Sequence, residues 1–148
     1  MPHYNFSADL EFARAAEAEA IPLAQKHFPG LANIQKCATK EYDFSGTLAG
    51  REIKFEVKWD LKATQTGNVA IEYESRGRPS GLSVTQADYL LYKLGQGAWY
   101  LLETAVLSRK LFDEKDYFRR VTGGDKGSGT KMFLVKVSAF SQWGERLA

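Results

Sequence analysis

Three residues of this chain have types and spacing that could support metal-dependent chemistry on a phosphate. Glu56 and Lys58 lie within residues 53–60, where apolar and charged residues alternate without a break. This alternation predicts a strand with one covered and one polar face, so Glu56 and Lys58 would lie about 6–7 Å apart on the polar face. Asp43 lies ten residues before this stretch. A second acid on an adjacent strand would complete a place for a metal ion and a charged phosphate.

Hydrolysis of a phosphodiester bond is the chemistry that such a set could perform. The reaction needs an activated water, a neutralised phosphate and a stabilised leaving oxygen, and a divalent cation supplies much of this. Mg²⁺ prefers a few carboxylate oxygens plus water, so Asp43 and Glu56 would hold it. Lys58 would orient or activate the water and offset developing negative charge. The alternative is a cross-strand Asp–Lys pair on a solvated sheet face.

Local patterns predict the elements that must position these residues. Helix formers cover residues 8–20, and Pro22 should end or kink that helix. Strands are expected at residues 40–45 and 51–60, joined by a turn at 46–50 into a hairpin that brings Asp43 beside Glu56 and Lys58. Further strands are expected at residues 68–75, 89–94, 98–103 and 131–137, with a short helix or turn at 83–88 and a helix at 104–121. The predicted fold class is α/β (α+β), in the order α-β-β-β-(α)-β-β-α-β, around one sheet in a single domain of residues 1–148.

Two further acids have both an ordinary and a functional interpretation. Glu17 falls in the middle of the apolar stripe of the first helix, where burying an unpaired charge is costly. A solvated helix end or a salt bridge would explain it, and so would a share in a metal site under the helix. Glu72 falls on the third predicted strand, where it is either a solvated residue or an acid that supports the site or binds a second metal ion.

Asp43 followed by Glu56-Val57-Lys58 on the next strand, after a helix and before a third strand, resembles the PD-(D/E)XK nuclease superfamily. Residues 66–68 and 71–74 further look like small phage-type members. One departure is Tyr42, which stands where the family motif has proline. The resemblance implies the restriction-endonuclease-like fold, in which helices flank a central mixed sheet.

The resemblance also implies a cofactor and additional site residues. The cofactor would be Mg²⁺, for which Mn²⁺ could substitute, and the carbonyl of Val57 would add a ligand. Glu17 would support the site from the N-terminal helix, as in many superfamily members. Gln86 occupies the place where some resolvase-like members carry a catalytic-site glutamine.

Basic and polar residues near the predicted site or in turns are candidates for binding DNA, although solvated loops would explain each of them equally well. The net charge of +2 is only mildly basic, so it permits a polyanionic partner without requiring one. The candidates are Lys62, Thr64, Asn68, Arg76, Arg78, Lys126 and Lys131.

The expected function is that of a Mg²⁺-dependent deoxyribonuclease acting on DNA. A chain of 148 residues rarely surrounds a duplex alone, so its size favours a homodimer, or a branched or single-stranded substrate. No apolar run is long enough for a membrane span, no secretory signal is visible, and the single Cys37 fits a reducing cytoplasm. Two alternatives remain: a catalytically silent nucleic-acid-binding module on the same fold, and a structural phage or plasmid protein.

Overall fold

Residues Arg51–Asp60, which include the alternating stretch, form an inner strand of a six-stranded sheet. The computed structural model describes residues 6–124 and 127–148 of the chain. The helices are α1 (Phe6–His27), α2 (Ala63–Thr66), α3 (Thr104–Ser108) and α4 (Val137–Trp143). The strands are β1 (Ala32–Lys36), β2 (Phe44–Leu48), β3 (Arg51–Asp60), β4 (Asn68–Ser75), β5 (Arg78–Pro79), β6 (Tyr89–Leu94), β7 (Ala98–Glu103), β8 (Arg119–Gly123), β9 (Thr130–Lys136) and β10 (Glu145–Arg146).

Two sheets organise the chain. The first has the order β1-β2-β3-β6-β7-β10, and it is mixed because β3 and β6 pair in parallel whereas the other neighbours are antiparallel. The second is antiparallel, with the order β5-β4-β9-β8. The fold is therefore α+β, with a six-stranded mixed sheet and a four-stranded antiparallel sheet flanked by helices.

Each face of the six-stranded sheet has its own core. On one face, α1 packs its small residues, such as Ala20, against Phe44 and Phe55. On the other face, Leu90 of β6 packs with Ile71 of the four-stranded sheet. Because side chains alternate along β3, Phe55 faces α1 while Glu56 faces the side of the second sheet.

Four predicted strands and both predicted hairpins are confirmed. The strands at residues 51–60, 68–75, 89–94 and 98–103 have the bounds that the patterns predicted. The β2–β3 and β6–β7 pairs are antiparallel hairpins. Both hairpins are local, so short-range alternation and turn residues were sufficient to predict them.

The predicted strand at residues 40–45 is wrong in its bounds. β2 begins at Phe44 and continues through Gly46 to Leu48, and the turn is reduced to Ala49 and Gly50, both at positive φ. Gly46 lets β2 pass close to Leu31, because a Cβ at that position would lie 2.7 Å from Leu31 Cδ1. A glycine that indicated a turn in the sequence is in fact required for packing.

Pro22 was expected to end or kink the first helix, and the end is wrong, since α1 continues to His27. Pro22 is exposed, whereas Ala20 and Ala24 on either side are fully buried. Burial of this face offsets the hydrogen bond that the proline removes, so tertiary packing overrides the local signal.

The helix predicted at residues 104–121 is much shorter. Helix α3 passes into a π-helical turn at Arg109–Asp113, and Lys115 has a positive φ. The chain then returns as β8, which pairs with β9. The expectation of one sheet was also wrong, because β4 pairs with β9 in a separate sheet. Strand β1, which pairs with β2, was not predicted.

Candidate functional site

Asp43 lies immediately before β2, beside the middle of β3. Its backbone N–H donates to the carbonyl of Phe55 at 2.9 Å. Its Oδ2 accepts a hydrogen bond from the backbone N–H of Val57 at 2.7 Å. This pair of contacts fixes the carboxylate against β3, at the residue between Glu56 and Lys58.

Glu56 and Lys58 are neighbours on β3, as alternation predicts. Lys58 Nζ lies 3.9 Å from Glu56 Oε2, beyond hydrogen-bond distance, and the side chains are 46% and 13% exposed respectively. Glu56 is therefore largely withdrawn from water, whereas the lysine ammonium remains accessible. A group approaching from solvent could contact both.

The surroundings of Asp43 and Glu56 disfavour the charged form of each carboxyl. Burial raises the pKa of Asp43, although the Val57 N–H and the Lys58 ammonium act against the rise. Burial also raises the pKa of Glu56, where Lys58 lowers it and the charge of Asp43 raises it again. One ammonium thus only partly compensates two desolvated carboxylates, and an added cation would be favoured there.

Glu17 approaches the same place from α1. Burial raises its pKa, and the next cause is repulsion from Asp43, whereas Lys36, with Nζ 4.0 Å from Glu17 Oε2, lowers it. Glu17, Asp43, Val57 and Lys58 line a small cleft of about 160 Å³, which we call the helix cleft. The structure therefore brings Glu17 to the predicted site.

A larger cleft opens on the other side of Lys58. This inter-sheet cleft, of about 410 Å³, lies between β3 and β6 of one sheet and β4 of the other. Glu72, which is exposed, and Lys62 line it, and the charge of Glu72 contributes to the raised pKa of Glu56. It is lined by Glu56, Lys58, Trp59, Asp60, Leu61, Lys62, Ala70, Ile71, Glu72, Gly81, Leu82, Leu90, Tyr92 and Met132.

Asp43 and Glu56 carry the hard oxygen donors that a divalent cation held partly by water prefers. Within residues 6–124 and 127–148, no three His, Cys, Asp or Glu side chains are grouped closely enough to enclose a metal ion. Mg²⁺ usually keeps several waters and binds through one or two carboxylates, which is what Asp43 and Glu56 could supply. That the Val57 carbonyl is a further ligand stays a prediction.

Three of the other predicted site residues have backbone or packing roles where the chain turns. Gln86 is exposed, and its backbone N–H donates to the carbonyl of Glu41 at 3.0 Å. Thr64 packs against Gly95, where a Cβ would lie 2.6 Å from its Oγ1. Asn68 begins β4, and its N–H donates to Thr66 Oγ1 at 3.1 Å.

Three further predicted DNA-binding residues lie on the four-stranded sheet or in one of its turns. Arg76 and Arg78 are exposed at the β4–β5 turn. Lys131 on β9 pairs with Glu74, with Nζ 3.0 Å from Oε2. Lys126 lies outside the described residues.

Sequence reasoning missed the contacts that fix α1 beside the site. Trp59 stacks on Phe12 with ring centroids 3.9 Å apart, and Lys93 Nζ lies 4.1 Å from the Trp59 ring centroid. Lys93, only 6% exposed, also donates to both carboxylate oxygens of Glu19, at 3.0 and 2.8 Å. A lysine within the apolar run of β6 was the available sequence signal, because such a residue needs a partner.

In the part of the chain that the structure describes, no helix has both the length and the apolar composition needed to cross a membrane. No protein-family model, curated protein sequence or solved structure matches the chain.

Proposed function

We propose that this protein is a divalent-metal-dependent nuclease that hydrolyses DNA phosphodiester bonds, as its resemblance to the PD-(D/E)XK superfamily implies. The observation that carries the proposal is the position of Asp43, whose carboxylate binds the Val57 N–H between Glu56 and Lys58. Two acids from different chain segments thereby lie beside one accessible ammonium. A solvated surface pair would not require desolvated carboxylates, which favours a functional interpretation.

Each residue has a separate role in this proposal. Asp43 and Glu56 would hold Mg²⁺ or Mn²⁺. When bound, the ion polarises the phosphate and makes its bound water more acidic. Lys58 would contact the phosphate and the attacking water, stabilising the negative charge that develops in the transition state. Glu17 and Glu72 border the two clefts and would help to retain cations near the phosphate.

The proposal is tested by incubating circular, linear, branched and single-stranded DNA with the protein and Mg²⁺ or Mn²⁺. We expect cleavage that is abolished by EDTA and reduced about 100-fold or more by Lys58→Ala, since removing one charge-stabilising donor typically costs that much. Lys54→Ala is the matched control, because Lys54 lies on the same face of β3, four residues earlier. Equal activity of the two variants would contradict the role of Lys58.

A second measurement does not depend on cleavage. Mg²⁺ should raise the melting temperature of the wild-type protein, because a ligand that binds only the folded state stabilises it. The shift should disappear in Asp43→Asn. DNA binding without cleavage at any metal concentration would instead support a catalytically silent binding module, and no DNA binding at low salt would refute both.

A further inference from the structure

The inter-sheet cleft has an enclosed apolar floor next to the proposed site. Four of its lining residues, Ile71, Leu82, Leu90 and Tyr92, are each at least nine-tenths buried. Leu61 lies at its margin and is 38% exposed. A cleft of this size with an apolar interior and a few polar groups is typical of small-molecule sites rather than of a flat duplex-binding surface.

The backbone fixes the shape of this cleft. β4 is tied to β3 at one end, where the Ala70 N–H donates to Asp60 Oδ2 at 3.0 Å. Glu56 and Lys58 of the proposed site are themselves lining residues of this cleft. Its side is closed by the turn at Gly81, where a Cβ would lie 2.3 Å from the carbonyl oxygen of Glu72. The cleft is therefore bordered by tightly packed backbone rather than by flexible side chains alone.

Charge distinguishes the mouth of the cleft from its floor. Lys58 and Lys62 line the cleft and are both exposed, so they can contact an anionic phosphate. The buried lining residues Ile71, Leu82, Leu90 and Tyr92 are apolar apart from the Tyr92 hydroxyl, so this part of the cleft suits the weakly hydrated face of a nucleobase. The carboxylates of Glu56, Asp60 and Glu72 line the cleft as well. A nucleotide would therefore bind with its phosphate at the lysines and its base against the apolar residues.

We propose that the inter-sheet cleft binds one unpaired nucleotide of the substrate, with its base on the apolar floor and its phosphate beside Lys58 and Lys62. This inference rests on the proposed function, because it takes the phosphate at Lys58 to be that of a nucleic acid. A base within a duplex is stacked and exposes only its groove edges, so it could enter this cleft only after leaving the stack. The preferred substrate class is therefore single-stranded, mismatched or branched DNA.

The test uses Glu56→Gln, which should bind DNA without cleaving it, and a single-stranded oligonucleotide carrying one 2-aminopurine. Anisotropy measures affinity, and 2-aminopurine fluorescence reports whether that base leaves its stacked neighbours. We expect tighter binding to the single strand than to the same sequence as a duplex. Adding Leu61→Ala should weaken single-strand binding about tenfold, because burying a leucine side chain against the base contributes free energy of this order.

Val84→Ala is the matched control, because Val84 is exposed and does not line the cleft. Ala70→Phe, which would fill the cleft, should have the same effect as Leu61→Ala. Equal affinity for single strand and duplex, or equal effects of Leu61→Ala and Val84→Ala, would overturn the inference even if the wild-type protein cleaves DNA. Conversely, Leu61-dependent binding to single strands by a protein that never cleaves would support the cleft and refute the nuclease.

Discussion

At the residue scale, the notable feature is the concentration of negative charge where water is partly excluded. Burial raises the pKa values of Glu17, Asp43 and Glu56 together, and repulsion adds to the rise for Glu17 and Glu56. A carboxyl whose folded pKa exceeds its unfolded value favours the folded state at low pH. That contribution is lost as the pH rises through the folded pKa. The site should therefore destabilise the metal-free protein near neutral pH.

Glu56→Gln should accordingly stabilise the metal-free protein at pH 7.5 and lose this advantage as the pH falls towards the ordinary glutamate value of 4.5. The expected rise in melting temperature is a few degrees, because 1 kcal/mol corresponds to about 2–4 °C in a chain of this size. Thermal melts in EDTA across pH 4–8 would measure it. Glu52→Gln, on the exposed part of β3, is the control, and a difference from wild type that does not change with pH would contradict the explanation.

At the element scale, the position of α1 decides whether Glu17 reaches the site. The Lys93 side chain is 7% exposed, whereas that of Glu19 is 46% exposed. The two ends of this ion pair are therefore unequal. Removing Glu19 leaves a buried ammonium without its counter-charge, whereas removing Lys93 leaves a carboxylate that water can solvate.

Glu19→Ala should therefore destabilise the protein more than Lys93→Met, whose side chain can still pack beside Trp59. We expect a loss of roughly 2–3 kcal/mol for Glu19→Ala, below the 3–5 kcal/mol typical of a fully buried pair. Urea unfolding of both variants would measure the difference, with Glu11→Ala on an exposed position of α1 as the control. The reverse order of stabilities would show that Lys93 acts mainly through its packing.

At the scale of the whole molecule, the two sheets separate basic residues into different environments. Lys62 lies at the inter-sheet cleft beside the proposed site, whereas Lys131 is on the second sheet and already neutralised by Glu74. Only a lysine whose charge is available to a phosphate releases a counterion when DNA binds. Position in the fold, rather than the number of lysines, should thus set the salt dependence.

Lys62→Ala should reduce the slope of log K against log salt for DNA binding by about 0.7–0.9, the value for one lost phosphate contact. Lys131→Ala should change the slope much less, which makes it the matched comparison. Binding titrations between 50 and 200 mM salt, on the Glu56→Gln background, would resolve the two. Equal slopes for the two variants would place the DNA elsewhere on the surface.

Predictions from the sequence succeeded where the cause of the structure is local. The alternation of β3 placed Glu56 and Lys58 on one face, and the adjacent hairpin placed Asp43 against the same strand. Gly46 wrongly indicated a turn, because the close approach of Leu31 is not visible in the local sequence. Pro22 wrongly indicated a helix end, because burial of the neighbouring helix face keeps α1 continuous. The π-helical turn after α3 likewise interrupted a periodic pattern that continues in the sequence.

The sequence by itself determined that Glu56 and Lys58 share one face of β3, because side-chain direction along a strand follows from its two-residue period. Only the tertiary structure decided that Glu17 and Asp43 line the same cleft, and that β4 belongs to a second sheet and borders the inter-sheet cleft. Those outcomes depend on which apolar faces bury one another across long stretches of chain. That choice is made by packing of the whole core and is not encoded in any local period.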